Sequence, residues 1–231
     1  MSQLFSALFS GKPELIVFDL DGTLVNSVPD LTTAVNRTLQ QLGRMPVEDD
    51  AVRRWVGDGA EMLVRRALAR EETESEVNKV SDTLLANVMT CFFHNYRMCN
   101  GEHSKLYPKV LETLEQLNNI GIPLALVTNK PKLFTDVLLD QLGIANYFKV
   151  VIGGECLENK KPHPEPLLHA SIICKTNPLS SLMVGDSRND VQAAKAACFK
   201  VVCVDYGYNQ GEPIEQSRPD RVIGSLSMLL A

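Results

Sequence analysis

An alternation of strands and helices starts near the N-terminus of this chain, breaks off, and resumes about 80 residues later, too long a gap for an ordinary connection. The first strand is the apolar run ELIVF at 14–18, short and without polar alternation, as expected of a buried strand in a parallel sheet. Residues 28–42 have helical periodicity, with Gly43 as a stop. Helical patterning continues through VEDDAVRRWV, AEMLVRRALAR and an amphipathic run over 75–98, so no strand is expected between Asn26 and Lys105. After Pro108, helices at 109–119, 132–142, 165–174 and 188–197 alternate with strands at 123–127, 149–152, 182–184 and 200–204. That rhythm predicts an α/β fold, a parallel sheet with helices on both faces. Residues 1–25 and 105–231 are expected to form it, with an all-helical domain, residues 26–104, inserted after the first strand.

Composition narrows the function classes. The chain has 231 residues, 45% hydrophobic and 22% charged, enough to bury a real core and unlike disordered or collagenous sequences. Net charge is −5 and no run of Lys and Arg tracks a polyanion, so nucleic acid is not an expected partner. An anionic ligand must then be attracted locally, by helix N-termini, a lysine or a bound cation. Apolar runs such as 122–127 are too short to cross a membrane, and MSQLFSALFSGK lacks the basic n-region and cleavage site of a signal peptide. Six cysteines without a C-x-x-C pair and four histidines without zinc-like spacing read as bystanders in a reduced, cytoplasmic protein. A monomer and a homodimer are equally compatible with these features.

In open α/β sheets, ligands bind beyond the carboxyl ends of the strands. Four successive strand ends here carry Asp19-Leu20-Asp21-Gly22-Thr23, Thr128-Asn129-Lys130, Lys160-Lys161-Pro162 and Gly185-Asp186-Ser187-Arg188-Asn189-Asp190. Each alone has a plain explanation: an Asx turn, an N-cap, a loop, a helix start. Their conjunction, in order and on one edge, points to a site. Several carboxylates at one point repel each other unless a cation sits among them, and Mg²⁺ suits such a donor set while keeping room for a phosphate oxygen. An ionised aspartate can attack phosphorus, and a second carboxylate two residues on can manage the leaving group's proton. Hydroxyl, backbone N–H and lysine groups can hold the phosphoryl oxygens.

With DLDGTLVNS at 19–27, LVTN at 126–129, KPHPEPL at 161–167 and VGDSRND at 184–190, the chain resembles the haloacid dehalogenase superfamily over nearly its whole length. The resemblance implies a Rossmann-like core with an α-helical cap. It implies Asp19 as nucleophile and Asp21 as general acid/base. Mg²⁺ would be held by Asp19, the Asp21 main-chain carbonyl and Asp186, with Asp190 supporting. Thr128 and Asn129 would bind the phosphoryl group, and Lys161, directly before Pro162, would bridge it to the nucleophile in preference to Lys160. The superfamily's dehalogenases and phosphonatases lack an acid at the position of Asp21, so the resemblance implies a small anionic phosphate ester as substrate. A phospho-signalling receiver, the competing class, needs only about half this length and would leave Asp21 without a task.

More narrowly, WVGDGAEMLVRRAL and DYGYNQGEPIEQSRPD resemble the bacterial phosphoglycolate phosphatases. This implies hydrolysis of 2-phosphoglycolate to glycolate and phosphate through an aspartyl-phosphate, with a sugar phosphatase or a phosphomutase on the same core as alternatives. Gly57 and Gly59, flanking Asp58, are candidates in the cap: their N–H groups could take a carboxylate, or the segment is a tight turn between helices. Arg53, Arg54, Arg65 and Arg66 could contact an anion, although at helical spacing most should form a solvated face. The chain departs from the family pattern at two points, with Lys109 after Tyr107-Pro108 and Cys198 after the Asp190 helix, where Gly is usual.

Overall fold

The structure, a computed structural model, describes residues 2–70 and 73–231. Helix α1 (Gln3–Leu8) leads to strand β1 (Leu15–Phe18), and a tight loop then forms β2 (Val25–Asn26). Helices follow: α2 (Val28–Gln41), α3 (Asp49–Trp55), α4 (Ala60–Ala69), α5 (Glu74–Val77) and α6 (Asp82–Arg97). The chain returns through β3 (Lys105–Leu106), which pairs antiparallel with β2, Val25 opposite Leu106 and Asn26 opposite Lys105. Alternation then resumes with α7 (Val110–Asn119), β4 (Leu124–Val127), α8 (Lys132–Gln141), β5 (Phe148–Ile152) and α9 (Glu165–Cys174). It ends with β6 (Ser181–Gly185), α10 (Arg188–Ala196), β7 (Lys200–Val204) and β8 (Arg221–Ile223). Among the described residues no helix is long and apolar enough to cross a membrane.

The main sheet has the order β5-β4-β1-β6-β7-β8 with every neighbouring pair parallel. Side chains of β1 divide by the two-residue period of a strand. Ile16 and Phe18 join Leu114 and Leu117 of α7 on one face, while Leu15 and Val17 meet Leu167 and Ala170 of α9 on the other. Burying each such side chain contributes about 1.5–3 kcal/mol. From β1 the chain moves outward one way through β4 and β5, then crosses back and moves the other way through β6, β7 and β8. The strand order therefore reverses between β1 and β6, and a crevice opens there at their carboxyl ends.

The segment between β2 and β3 builds its own apolar layer. Val28, Leu31, Val35 and Leu39 on α2 and Leu85, Val88, Phe92 and Tyr96 on α6 recur every three or four residues and pack into one cluster with Trp55 and Leu63. Phe134 and Tyr208 join that cluster from the sheet side. Asp30, fully buried in the first turn of α2, accepts the N–H groups of Gly101, His103 and Ser104 at 2.8, 2.8 and 3.0 Å. One carboxylate thus ties the outgoing chain to the returning one.

The run over 75–98 is not one helix. Helix α5 ends at Val77, and Ser81 starts α6 afresh by accepting the Leu84 N–H at 3.3 Å. Both departures from the family pattern carry left-handed backbone, with φ of 68° at Lys109 and 61° at Cys198. A side chain in that region costs about 1–2 kcal/mol, partly offset by the greater freedom glycine loses on folding. Cys198 is exposed, so Cys198→Gly gives up little packing. Its expected gain of about 0.5–1 kcal/mol should raise the unfolding midpoint by about 1–4 °C in calorimetry. Cys198→Ala, which keeps the strain, should gain nothing; an equal rise in both would refute the backbone argument.

Candidate active site

Asp19 follows β1 directly, and its N–H donates to Val184 O of β6 at 2.9 Å, so the loop starts at the reversal point of the sheet. Gly22 turns that loop at φ 91°; a Cβ there would lie 2.4 Å from Asp186 Oδ2, an approach a side chain forbids. Thr23, the next residue, donates its hydroxyl to Asp186 Oδ1 at 2.8 Å, and the Tyr208 N–H reaches Oδ2 at 2.7 Å. Asp190 closes the first turn of α10 as half of a capping box with Ser187. Its Oδ2 accepts the N–H groups of Asp186 and Ser187 at 3.1 and 3.0 Å and the Ser187 hydroxyl at 2.7 Å. Lys161, with only 2% of its side chain exposed, lies 2.6 Å from Asp190 Oδ1 and 2.8 Å from Asp19 Oδ1.

Asp19, Asp186 and Asp190 each offer a carboxylate oxygen within 4.8 Å of the others'. Three buried carboxylates against one lysine leave the cluster short of positive charge. Burial pushes the Asp19 carboxyl up to about 7 against the pull of Lys161, and Asp190 adds to the rise. Burial, followed by the charges of Asp19 and Asp190, holds Asp186 well above the usual carboxylate range. Burial also opposes the charge on Lys161, yet Asp19 and Asp190 outweigh it and keep its ammonium above the ordinary lysine range. A hard divalent cation fits this all-oxygen donor set and supplies the missing charge. Asp190 Oδ2 takes three protein donors and its Oδ1 takes Lys161, whereas each Asp186 oxygen accepts only one donor and keeps a lone pair. Asp19 and Asp186 are therefore the better placed to hold a cation and Asp190 to brace the lysine.

The end of β4 delivers three consecutive polar residues. Thr128 is buried, and its hydroxyl oxygen accepts the Lys130 N–H at 3.2 Å. Asn129 donates its side-chain amide to Gly57 O at 2.9 Å and Lys161 O at 2.8 Å, so the main-chain N–H is the Asn129 group that could meet a phosphoryl oxygen. It acts here as a staple between the helical segment and the lysine loop. Lys130, which the sequence reading leaves without a role, has 2% of its side chain exposed and lies 3.1 Å from Asp21 Oδ1. Its ammonium also donates to the Tyr96 hydroxyl and stands 4.9 Å from the centre of that ring. Burial, with the Asp21 charge next, raises Tyr96 well above the ordinary phenol range, so it remains a neutral hydroxyl. The available signal was positional: a third polar residue at a strand end that already carried two.

The Gly57-Asp58-Gly59 segment faces the same region from the other side, and α4 begins only at Ala60, with Gly59 as its cap. Asp58 binds Arg66, Asn189 and Gln210 at 2.5, 2.7 and 2.6 Å. Burial works against its charge, but the hydrogen bonds from Asn189 and Arg66 keep its carboxyl below the usual range. Lys160 is spent on Asp58 O at 2.7 Å, far from the part Lys161 plays. Arg66 is buried rather than solvated, because Asp58 and Trp55 O both claim its guanidinium. Arg65 pairs with Glu61 and Asp82, Arg53 lies over the Tyr208 ring, and Arg54 lines an outer groove beside Trp55.

Between the two sides lies a cavity. Asp19, Asp21, Thr128 and Lys130 form its floor, and Gly57, Gly59, Leu63, Phe92 and Tyr96 contribute to its roof. Asp21 therefore sees the same space as Asp19 but with a different partner.

Comparison with known proteins places this arrangement. Residues 16–204 match the family model described as haloacid dehalogenase-like hydrolase. The chain is 48% identical to the phosphoglycolate phosphatase of Pseudomonas putida over 227 residues, 98% of this chain and 82% of that protein. It is 46% identical to the phosphoglycolate phosphatase of Nitrosococcus oceani over 215 residues, 93% of this chain and 94% of that one. A crystal structure from Haemophilus somnus, solved as a "predicted phosphoglycolate phosphatase", matches with a TM-score of 0.87 at 37% identity, covering 95% of this chain and 97% of that one.

Proposed function

The chain belongs to the haloacid dehalogenase-like hydrolase family, and from that premise we propose that it hydrolyses 2-phosphoglycolate to glycolate and inorganic phosphate, with Mg²⁺ as resident cofactor, through a phosphorylated Asp19. The observation that carries the reading is the different company of two carboxylates on one loop. Asp19 sits with Lys161 in the acidic cluster, while Asp21, two residues on, is held by Lys130 across the same cavity.

Asp19, Asp186 and the Asp21 main-chain carbonyl would hold Mg²⁺, which when bound neutralises the cluster and polarises a phosphoryl oxygen. The Asp19 carboxylate attacks phosphorus as the bond to the glycolate oxygen breaks, and Asp21 gives that oxygen its proton. Asp21 then takes a proton from the water that attacks the acyl phosphate, which releases phosphate and restores Asp19. Lys161 and Thr128 hold the phosphoryl oxygens, preorganised by their burial. Asn129 supports them by fixing the Lys161 loop. The helical insert, residues 26–104, acts as a cap: Leu63 and Phe92 roof the cavity, exclude bulk water and favour a small free substrate. Six free cysteines fit a cytoplasmic enzyme.

Phosphate release in Mg²⁺ across 2-phosphoglycolate, several sugar phosphates and p-nitrophenyl phosphate tests the reading. We expect kcat/KM for 2-phosphoglycolate to exceed the others by about 100-fold or more, and chelation to abolish turnover. A sugar phosphate in first place would replace the substrate and leave the core chemistry standing. No release from any ester would remove both.

A further inference from the structure

We propose that Lys130, braced by Tyr96, is the specificity-determining cation that binds the carboxylate of the substrate. The inference rests on the 2-phosphoglycolate reading above and deepens it. In that substrate one methylene carbon separates the ester oxygen from the carboxyl group. Whatever protonates the ester oxygen therefore stands beside the place where the carboxylate must fall. Asp21 is that group, and the Lys130 ammonium lies 3.1 and 3.3 Å from its two oxygens.

The rest of the cavity offers a carboxylate little else. Leu31, Val56, Leu63 and Phe92 present apolar surface, and among the described residues lining the cavity Lys130 is the cation. A carboxylate moved out of water into such a space needs a charged partner, because its desolvation is otherwise uncompensated. Lys161 is already shared between Asp19 and Asp190. The Gly57–Gly59 turn, the other candidate, carries the Asp58 carboxylate and directs Gly57 O toward Asn129 and Asn189, so it offers an anion a poor reception. Lys130, by contrast, is held in place before any ligand arrives: the Tyr96 hydroxyl accepts from it and the Tyr96 ring lies against it. An ammonium has three donors. One meets the Tyr96 hydroxyl, one can be bifurcated across the two Asp21 oxygens, and the third is left for a substrate carboxylate.

The test compares kcat/KM for 2-phosphoglycolate with that for ethyl phosphate, which has the same carbon count and no carboxylate. In Lys130→Met both substrates should slow, since Asp21 loses its partner, but the ratio should fall by about 100-fold. Lys130→Arg keeps the charge and should recover part of the ratio; it also carries the test if the methionine variant fails to fold in thermal unfolding. A ratio within about threefold of wild type in Lys130→Met, or in a folded Lys130→Arg a ratio lowered as far as that of a neutral residue, would overturn the assignment and leave Lys130 as a support for Asp21 alone. A wild-type ratio near one would remove the 2-phosphoglycolate reading itself, and the assignment with it.

Discussion

Asp19→Asn folds normally and loses turnover of 2-phosphoglycolate by about 10⁴-fold or more, the scale seen when a covalent nucleophile is removed. A carboxamide is a poor nucleophile, and it also withdraws one charge from the donor set formed with Asp186. The same substitution should stabilise the cation-free protein at alkaline pH. Burial raises the folded-state carboxyl of Asp19 from 3.8 to about 7. Across that window the native state keeps a proton that the unfolded chain has released, so stability falls as pH rises and the loss is complete above it. An amide does not titrate. The midpoint advantage of the variant in a chelating buffer should therefore be absent near pH 4, grow between pH 4 and 7, and level off at pH 8. Near-normal phosphate release would remove Asp19 from its assigned role, and a variant less stable than wild type at pH 8 would mean that the Lys161 pair outweighs the repulsion.

Much of this site was readable because it is local. Asp19, Asp21 and Thr23 lie within one loop, Asp186 and Asp190 on either side of the start of α10, and each group follows an apolar run that had to be a buried strand. The contacts that escaped are those between distant segments. Nothing near Lys130 in sequence announces Tyr96, which arrives from the end of α6, and nothing near Arg66 announces that Asp58 folds back to claim it. Helical spacing alone put Arg66 on a solvated face. The motif around Asn129 is plain in the sequence, whereas the partners of its amide, Gly57 and Lys161, become visible only when loop and insert meet. Short elements escaped for another reason. The three residues of β8 are too few for a periodicity to show, and α1 owes its place to one buried residue, Phe5, and a serine cap. Lys109 and Cys198 mark the opposite case: the missing glycines were visible in sequence, and the positive φ they would have eased was not.

Asp21→Asn separates the two chemical steps. General acid–base assistance of this kind is worth about 10²–10⁴-fold, so steady-state hydrolysis of 2-phosphoglycolate should fall by that much in a protein that still folds. The amide oxygen can still accept from Lys130, which limits structural damage. An alkoxide leaving group needs its proton, so with 2-phosphoglycolate the first step itself is blocked. The p-nitrophenolate ion leaves without one. With p-nitrophenyl phosphate the variant should therefore phosphorylate Asp19 quickly and then stall, because nothing remains to take the proton from the attacking water. Rapid mixing should show a burst approaching one equivalent of p-nitrophenol per enzyme, followed by a slow phase, with no inorganic phosphate released during the burst. Steady-state rates that fall equally for both substrates with no burst would mean that Asp21 serves the geometry of the loop and transfers no proton.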